Sequence, residues 1–408
     1  ADAKLPVGSA PEALDFPHFP DRLHTFVWRN WTIIKAERLA AVLGTTTENV
    51  CQIAESMGLP ASMQPDSETN LDRIYITIIR RNWHLLPYEQ LLALLDFTAE
   101  ELAFSLREDD FLFIKLGSLN PKSEPLKYTP PTPAAQKQAR EIKEFVTTLF
   151  GDQIIKPVEP RFSFIDRLSQ LPPDAETPER QSEPRFSPRY IYSYFAPYGD
   201  PLLDSELKAY PDGLLRRLAE LGVGGVWIHT VLRKMAPSDV FPEFGRNHEI
   251  RLKNLRKLVD RAQQYGIGIF LYANEPRAMP GDFFEERESI RGVGEGDYYA
   301  MCTSAPKVRT WLRESYTYLF ENVPGLAGVF TITASENLTN CASHGRISDC
   351  PRCGKRTPAE IIAEVNATIE DGVHSGSPDA KVIAWDWGWR DEWAEEIIRR
   401  LPKETWLM

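Results

Sequence analysis

The sequence predicts an α/β protein: a TIM-type (β/α)8 barrel that follows an α-helical N-terminal domain. The first observation is that apolar strands alternate with amphipathic helices over residues 188–408. Continuous apolar strands of this kind are typical of a parallel sheet covered by helices. The second observation is that no G-x-G-x-x-G motif follows the first of these strands and that the sequence has no Walker loop. A barrel is therefore favoured over a nucleotide-binding open sheet.

The first domain, residues 1–130, contains an internal repeat. The segments 29–50 and 81–102 align with an offset that places Trp31 on Trp83. Each copy predicts a helix, a turn and a second helix with a threonine N-cap followed by acidic residues. This pattern fits either a DNA-binding helix-turn-helix pair or two packed helical hairpins. Because the second copy is acidic and the net charge is −11, we expect hairpins and no nucleic-acid partner.

The segment 131–187 is predicted to be a helix followed by a connector. The proline-rich PLKYTPPTP at 125–133 is expected to act as a stiff linker at the end of the first domain. AAQKQAREIKEFVTTLFG then predicts a helix. QLPPDAETPERQSEPRFSP, at 170–188, is polar and lacks hydrophobic periodicity, so it predicts an exposed connector.

The C-terminal region predicts five complete βα units and a sixth strand at 405–408. The predicted strands are RYIYSYF, GGVWIHTVL, GIGIFLYANEP, LAGVFTITASEN, KVIAWDWGW and TWLM. A long loop is predicted between the third strand and the next helix. A TIM barrel has eight strands, and an open barrel would expose apolar edges. We therefore expect that the last strands are missing from the given chain.

Carboxylates and aromatic residues cluster where the predicted strands end, which is where barrel enzymes place their active sites. The candidates are His229, Arg233, Tyr272, Asn274, Glu275, Glu336, Asn337, Trp385, Asp386 and Trp387. Indole faces stack on sugar rings, and a carboxylic acid can protonate a glycosidic oxygen. The pattern therefore predicts a carbohydrate site.

Glu336 is the predicted general acid/base because it directly follows the fourth strand. The alternative is that it caps the following loop. Glu275 and Asp386 are further catalytic candidates, as base, nucleophile or hydroxyl ligand, although each could instead pair with Arg277 or Arg390. The predicted substrate-binding residues are His229, Arg233, Tyr272, Asn274, Asn337, Trp385 and Trp387.

Three sequence stretches carry a family resemblance over roughly the C-terminal half. They are YPDGLLRRLAELGVGGVWIH, LVDRAQQYGIGIFLYANEP, and the order of strand, ASEN, cysteine loop, helix and WDWGW. These resemble the hexosaminidase-like barrels of glycoside hydrolase family 20 and its family 163 relatives. The resemblance implies a glycosidase that acts on a glycan, with N-acetylhexosamine as a candidate unit. The alternative is a non-catalytic carbohydrate-binding or scaffold protein with a degenerate barrel.

The resemblance also bears on mechanism. Family 20 enzymes carry an Asp-Glu pair after the fourth strand, in which the glutamate is the acid and the aspartate steers the N-acetyl group of the substrate. Glu336 matches the acid, but Ser335 occupies the position of the aspartate. A substrate-assisted reaction and a carboxylate nucleophile on the seventh strand both remain open.

A loop after the fourth strand carries candidate metal ligands in a C-x2-H-x5-C-x2-C pattern. They are Cys341, His344, Cys350 and Cys353. Three thiolates and an imidazole complete a tetrahedral shell, which predicts a structural zinc rather than a catalytic one. The alternative is a disulfide and a free thiol, favoured in an exported protein. Cys51 and Cys302 are expected to be small buried residues, and we expect no organic cofactor.

The sequence also bears on membrane association, compartment and assembly. No apolar run approaches the ~20 residues that cross a bilayer, so no transmembrane segment is expected. The first residues have neither a basic nor an apolar signal region, and they fit a mature N-terminus left after cleavage. We expect a periplasmic or extracellular protein, with a cytoplasmic one as the alternative, and the oligomeric state stays open.

Overall fold

The computed structural model describes residues 5, 6, 8, 10–65, 71–109, 112–117, 119–155, 162–173, 187–192, 199–334 and 337–408. The chain forms two compact units. The helical unit comprises Asp2–Ser163 with Pro197–Gly199, and the sheet unit comprises Phe164–Ala196 with Asp200–Met408. The predicted middle segment is thus divided between the two units. Most of the predicted connector lies outside the described residues.

The described part of the helical unit is built from seven α-helices of 4 to 12 residues and one of 18 residues. They are α1 Arg22–Asn30, α2 Ala36–Leu43, α3 Thr47–Ser56, α4 Leu71–Asn82, α5 Tyr88–Leu95, α6 Ala99–Glu108, α7 Leu112–Lys115 and α8 Pro133–Phe150. The side chain of Thr46 accepts a hydrogen bond from the backbone at the start of α3. Thr98 forms a capping box with Glu101 at the start of α6. Both caps supply acceptors for backbone N–H groups that the first helical turn leaves unpaired.

Equivalent residues of the two sequence copies make equivalent contacts. Trp31 and Trp83 are both fully buried, and each indole donates to a backbone carbonyl. Asn30 and Asn82 are also fully buried and face each other. Each Nδ2 donates to the other's Oδ1 at 2.8 Å. These reciprocal amide bonds join α1 to α4 inside the core of the unit.

The sheet unit contains nine strands and six α-helices in its described part. The strands are β1 Tyr190–Tyr192, β2 Gly225–His229, β3 Gly268–Ala273, β4 Met279–Pro280, β5 Arg291–Glu295, β6 Tyr298–Met301, β7 Gly328–Ile332, β8 Lys381–Trp385 and β9 Trp406–Leu407. The helices are α9 Ser163–Ser169, whose first residue lies in the helical unit, α10 Asp212–Glu220, α11 His248–Gln263, α12 Pro306–Asn322, α13 Pro358–Gly376 and α14 Asp391–Arg400. In the described part of the chain, no helix has the length and apolar character needed to cross a membrane.

The main sheet is parallel and curls into part of a barrel. Its strand order is β1-β2-β3-β7-β8-β9, and every neighbouring pair is parallel. Tyr190 on β1 and Met408, after β9, belong to opposite ends of this order. Nevertheless, the Tyr190 hydroxyl lies 2.7 Å from Sδ of Met408. The sheet therefore bends until its first and last strands approach each other.

The two faces of the curled sheet have different partners because alternate residues of a strand point to opposite sides. Val226 and Ile228 of β2 point outward into a buried cluster with Leu255 of α11 and Leu312 of α12. Trp227, between them, points to the concave side with Phe270 and other aromatic residues. The helices thus cover the convex face, and the concave face is lined by rings.

The predicted long loop after β3 is instead a small antiparallel sheet in the order β4-β6-β5. Gly296, with a φ of 57°, lies in the tight turn between β5 and β6. Glycine enters this left-handed region without the steric cost of a side chain, so the segment closes as a hairpin. The prediction missed this hairpin because its residues lack strong apolar alternation.

Candidate functional site

A row of aromatic side chains runs across the concave face of the main sheet. Its members, in spatial order, are Tyr192, Trp227, Tyr272, Phe330, Trp385 and Trp387. Neighbouring ring centroids are between 4.2 and 6.3 Å apart. Phe330 is buried in the middle, whereas most of the other rings are half-buried and Trp387 is 52% exposed. Part of the ring surface of this row is therefore accessible rather than buried in the core.

A polar group lies where β2 and β3 end, beside this aromatic row. Nη2 of Arg277 is 2.7 Å from Nε2 of His229. Because a guanidinium only donates, Nε2 must accept, so the ring proton of His229 is on Nδ1. Nδ2 of Asn274 donates to the hydroxyl of Tyr272 at 3.2 Å. Four side chains from two neighbouring strand ends thus meet at one edge of the sheet.

Asn274 contributes a buried acceptor to this edge. The residue is fully buried, and its Oδ1 has no hydrogen-bond partner among the described residues. A buried amide oxygen without a donor costs about 1–3 kcal/mol.

Glu275, which was predicted as a catalytic candidate, is buried at the end of β3. It is 2% exposed, and its carboxylate accepts from the backbone N–H of Leu232 at 2.7 Å and of Arg277 at 3.0 Å. Burial raises the pKa of Glu275, while Arg277 and Arg233 oppose this rise. The carboxylate therefore acts as a brace that ties the end of β3 to the turn after β2.

The predicted acid, Glu336, and its neighbour Ser335 lie outside the described residues. The chain just before them is held by hydrogen bonds. The carbonyl oxygen of Thr333 accepts from Oγ1 of Thr339 at 3.0 Å and from Nδ2 of Asn340. Two side chains further along the loop therefore fix the backbone where β7 ends.

The remaining predicted residues occupy different parts of the same region. Trp385 and Trp387 extend the aromatic row, and Asp386 between them is exposed. Arg233 lies in the short 3-10 helix Leu232–Lys234, near Glu275. Asn337 is half-buried and follows the undescribed pair.

Several members of the site were not predicted. Trp227 and Phe330 belong to the aromatic row but precede the ends of their strands, and Tyr192 is the last residue of β1. Their signal was present, since Trp227 stands two residues before His229 and so shares its face of the strand. Arg277, expected only as a partner of Glu275, also contacts His229.

The predicted metal ligands are only partly brought together. The four sulfur atoms that lie within 4.8 Å of one another belong to Cys302, Cys341, Cys350 and Cys353. Cys302 belongs to this group and His344 does not, which corrects the predicted set of ligands. Nδ1 of His344 instead lies 3.5 Å from a carboxylate oxygen of Glu295. His344 has a left-handed backbone with a φ of 59°, and its side chain is directed to the hairpin.

Polar neighbours surround the cysteine cluster. Nε of Arg352 donates to Sγ of Cys302 at 3.2 Å, and Oγ of Ser304 lies 3.1 Å from Sγ of Cys353. Hydrogen bonding with Cys341 is the largest cause that lowers the pKa of Cys302, to about 6. All four cysteines are buried, and none of the described cysteines is in a disulfide.

Comparisons with known proteins give partial likenesses. No family model matches the chain, and no curated protein matches it. Among solved structures, a GH138 enzyme targeting pectin rhamnogalacturonan II is 16% identical, with a TM-score of 0.35 over 63% of this chain and 30% of that one. A GH20 exo-β-N-acetylglucosaminidase from Vibrio harveyi is 12% identical, with a TM-score of 0.33 over 48% of this chain and 34% of that one.

A family 89 glycoside hydrolase from Clostridium perfringens is 16% identical, with a TM-score of 0.34 over 55% of this chain and 28% of that one. The chain spans less than half the length of each of these proteins. The matches include glycoside hydrolases of several families.

Proposed function

We propose that the sheet unit is the sugar-binding and catalytic part of a glycoside hydrolase. The observation that carries this proposal is the aromatic row on the concave face, next to polar side chains at the C-terminal edge of a parallel sheet. In barrel enzymes this edge is the place where substrates bind. The substrate would be an oligosaccharide or polysaccharide, with N-acetylhexosamine as the first unit to test.

The aromatic row supplies the apolar half of sugar recognition. A pyranose ring presents C–H groups on its faces, and these pack on indole and phenol rings. Trp387 offers the most exposed ring, and Trp385 lies 5.5 Å from it between ring centroids. A sugar that stacked on this pair would have its hydroxyl groups directed along the sheet edge.

The polar side chains where β2 and β3 end would supply the hydrogen bonds of sugar recognition, which fix the orientation of the sugar. Sugar hydroxyls both donate and accept, and the half-buried side chains of Tyr272 and His229 lie at this edge. Asn274 is fully buried and holds the Tyr272 hydroxyl by a hydrogen bond from Nδ2, and Arg277 holds His229 in the same way. Recognition by such groups favours a polar, ring-shaped ligand over an apolar one.

Glu336 would donate the proton to the glycosidic oxygen as the bond to the anomeric carbon breaks. The oxocarbenium-like centre is then attacked either by water or by a second carboxylate. Asp386 is the exposed carboxylate at the end of the neighbouring strand and is the candidate for this second role. Glu275 is not used, because both of its oxygens already accept backbone hydrogen bonds.

The test is turnover by the purified full-length protein on a panel of aryl glycosides and natural oligosaccharides that includes N-acetylhexosaminides. Glu336→Gln is expected to lower kcat by about a hundredfold to ten-thousandfold, the typical range for general acid catalysis. Glu285→Gln, an exposed glutamate in the same unit, is the matched control. Near-normal turnover by Glu336→Gln on a cleaved substrate would remove the assigned acid.

A non-catalytic glycan-binding protein is the second candidate, and the burial of Glu275 favours it. The aromatic row alone could bind sugar without cleaving it. Trp387→Ala should weaken glycan binding under either hypothesis, as measured by calorimetry. If Glu336→Gln binds glycan like the parent protein and neither protein releases sugar from any substrate, the binding function is supported instead.

A further inference from the structure

We propose that Cys302, Cys341, Cys350 and Cys353 bind one structural zinc ion. The inference is independent of the proposed glycosidase activity, since it rests on the geometry of the four sulfurs. The site joins two separate segments. Cys302 follows β6 of the small antiparallel sheet, and the other three cysteines lie in the loop between β7 and α13.

The sulfur positions match the size of a tetrahedral thiolate shell. Sγ of Cys302 is 3.7 Å from that of Cys350 and 3.6 Å from that of Cys353. A tetrahedron with zinc–sulfur bonds of about 2.3 Å has edges of about 3.8 Å. All four sulfurs lie within 4.8 Å of one another, so the cluster fits a single ion at its centre.

The surroundings also fit a metal that carries excess negative charge. Four thiolates around Zn²⁺ leave a net charge of about −2, which a protein interior tolerates only with nearby donors. Arg352 donates to Cys302, and Ser304 contacts Cys353. Donors of this kind orient the ligands of metal sites and stabilise their charge. Four protein ligands leave no position for water, so the ion is structural.

The backbone at the cluster is built for close approach of a sulfur. A Cβ atom on Gly292 of β5 would lie 2.8 Å from Sγ of Cys341 and 2.8 Å from the carbonyl oxygen of Ala300. Any side chain at this position would therefore push the loop away from the hairpin. The absence of a side chain lets the two segments meet at the distance that a shared metal requires.

The metal would hold a loop that otherwise has few regular elements. Within residues 337–357 the structure forms only the 3-10 turns Ser343–Gly345 and Ile347–Asp349. Long irregular loops in compact domains are ordered by packing, bonding or ligands. Cys341 directly follows Asn340, whose side chain fixes the end of β7. Zinc would thus anchor the loop on the hairpin immediately after that bond.

The first experiment measures metal content by mass spectrometry after purification without chelators. The parent protein should contain about one zinc per chain, as a closed four-ligand shell holds one ion. Cys302→Ser should lose most of it. His344→Ala and Cys51→Ser should keep it, because neither residue belongs to the cluster. Retention by Cys302→Ser with loss in His344→Ala would overturn the ligand set.

A second measurement does not depend on the folding of a variant. The parent protein is unfolded, freed of metal and refolded with Co²⁺, and its absorption spectrum is recorded. Four thiolates around tetrahedral cobalt give intense sulfur-to-metal charge transfer, whereas a Cys3His site gives less. Iron in place of zinc, a Cys3His spectrum, or a disulfide between any two of these cysteines in the parent protein would each refute the proposal.

Discussion

Replacing Glu275 with glutamine should destabilise the sheet unit rather than merely slow a reaction. The carboxylate is completely buried and accepts from two backbone N–H groups, at 2.7 and 3.0 Å. Glutamine has nearly the same shape but only one acceptor oxygen. Its NH2 group would face one of the two N–H donors, so one buried donor would lose its partner.

The substitution causes two losses. An orphaned buried donor costs about 1–3 kcal/mol. Removal of the negative charge also removes the attraction to Arg277 and Arg233, which oppose the rise in the pKa of Glu275. From the orphaned donor we expect Glu275→Gln to lower the free energy of unfolding by roughly 1–3 kcal/mol.

Chemical denaturation measures the loss of stability. Hydrogen exchange of peptides from β2 and β3 then shows whether that loss lies in the sheet unit. The matched control is Glu285→Gln, which removes an exposed carboxylate and should change stability by less than about 0.5 kcal/mol. If Glu275→Gln unfolds like the parent protein but loses turnover, the brace is wrong and Glu275 returns as a catalytic residue.

Three further predictions concern the buried amide pair, one buried carboxyl and the metal site. Asn30→Ala and Asn82→Ala should each destabilise the helical unit. In a double-mutant cycle measured by denaturation, the double variant should lose about 0.5–3 kcal/mol less stability than the sum of the two single losses. Additive losses would contradict the pairing. Burial raises the pKa of Asp109 from 3.8 to about 6, and the hydrogen bond from Tyr75 opposes this rise. The protonated carboxyl therefore contributes its full stability below pH 3.8, and this contribution is lost as the pH rises through about 6. That loss amounts to about 3 kcal/mol, and Asp109→Asn should abolish this slope in thermal or chemical unfolding. Arg352→Ala should weaken zinc affinity about ten- to hundredfold in competition with a chelator, and unchanged affinity would show that the contact with the sulfur is incidental.

The course of the main sheet follows from local patterns and was therefore predictable. Continuous apolar runs specify buried strands, and the observed strands lie inside the predicted segments. Strand ends could be located in the same way. His229, Tyr272 and Asn274 meet at one edge because parallel strands end together.

The parts that could not be predicted depend on contacts between distant segments. The spacing of cysteines within the loop favoured His344, but Cys302 reaches the cluster through the hairpin that precedes α12. A sequence places Glu275 at a strand end without fixing the side to which its carboxylate turns. That direction is set by two backbone N–H groups, one of which belongs to the turn after β2.

The buried Glu275 carboxylate and the hydrogen bonds to the carbonyl oxygen of Thr333 have a common consequence for the proposed site. Glu275 holds the end of β3, and the bonds to the carbonyl oxygen of Thr333 hold the end of β7. The aromatic row lies across these same strands, so its rings are supported by a backbone that is fixed on both sides. Catalytic groups need such fixed supports because their geometry must be set before the substrate arrives. In the proposed site Glu275 therefore supports the end of β3, and Glu336 stays the proposed proton donor.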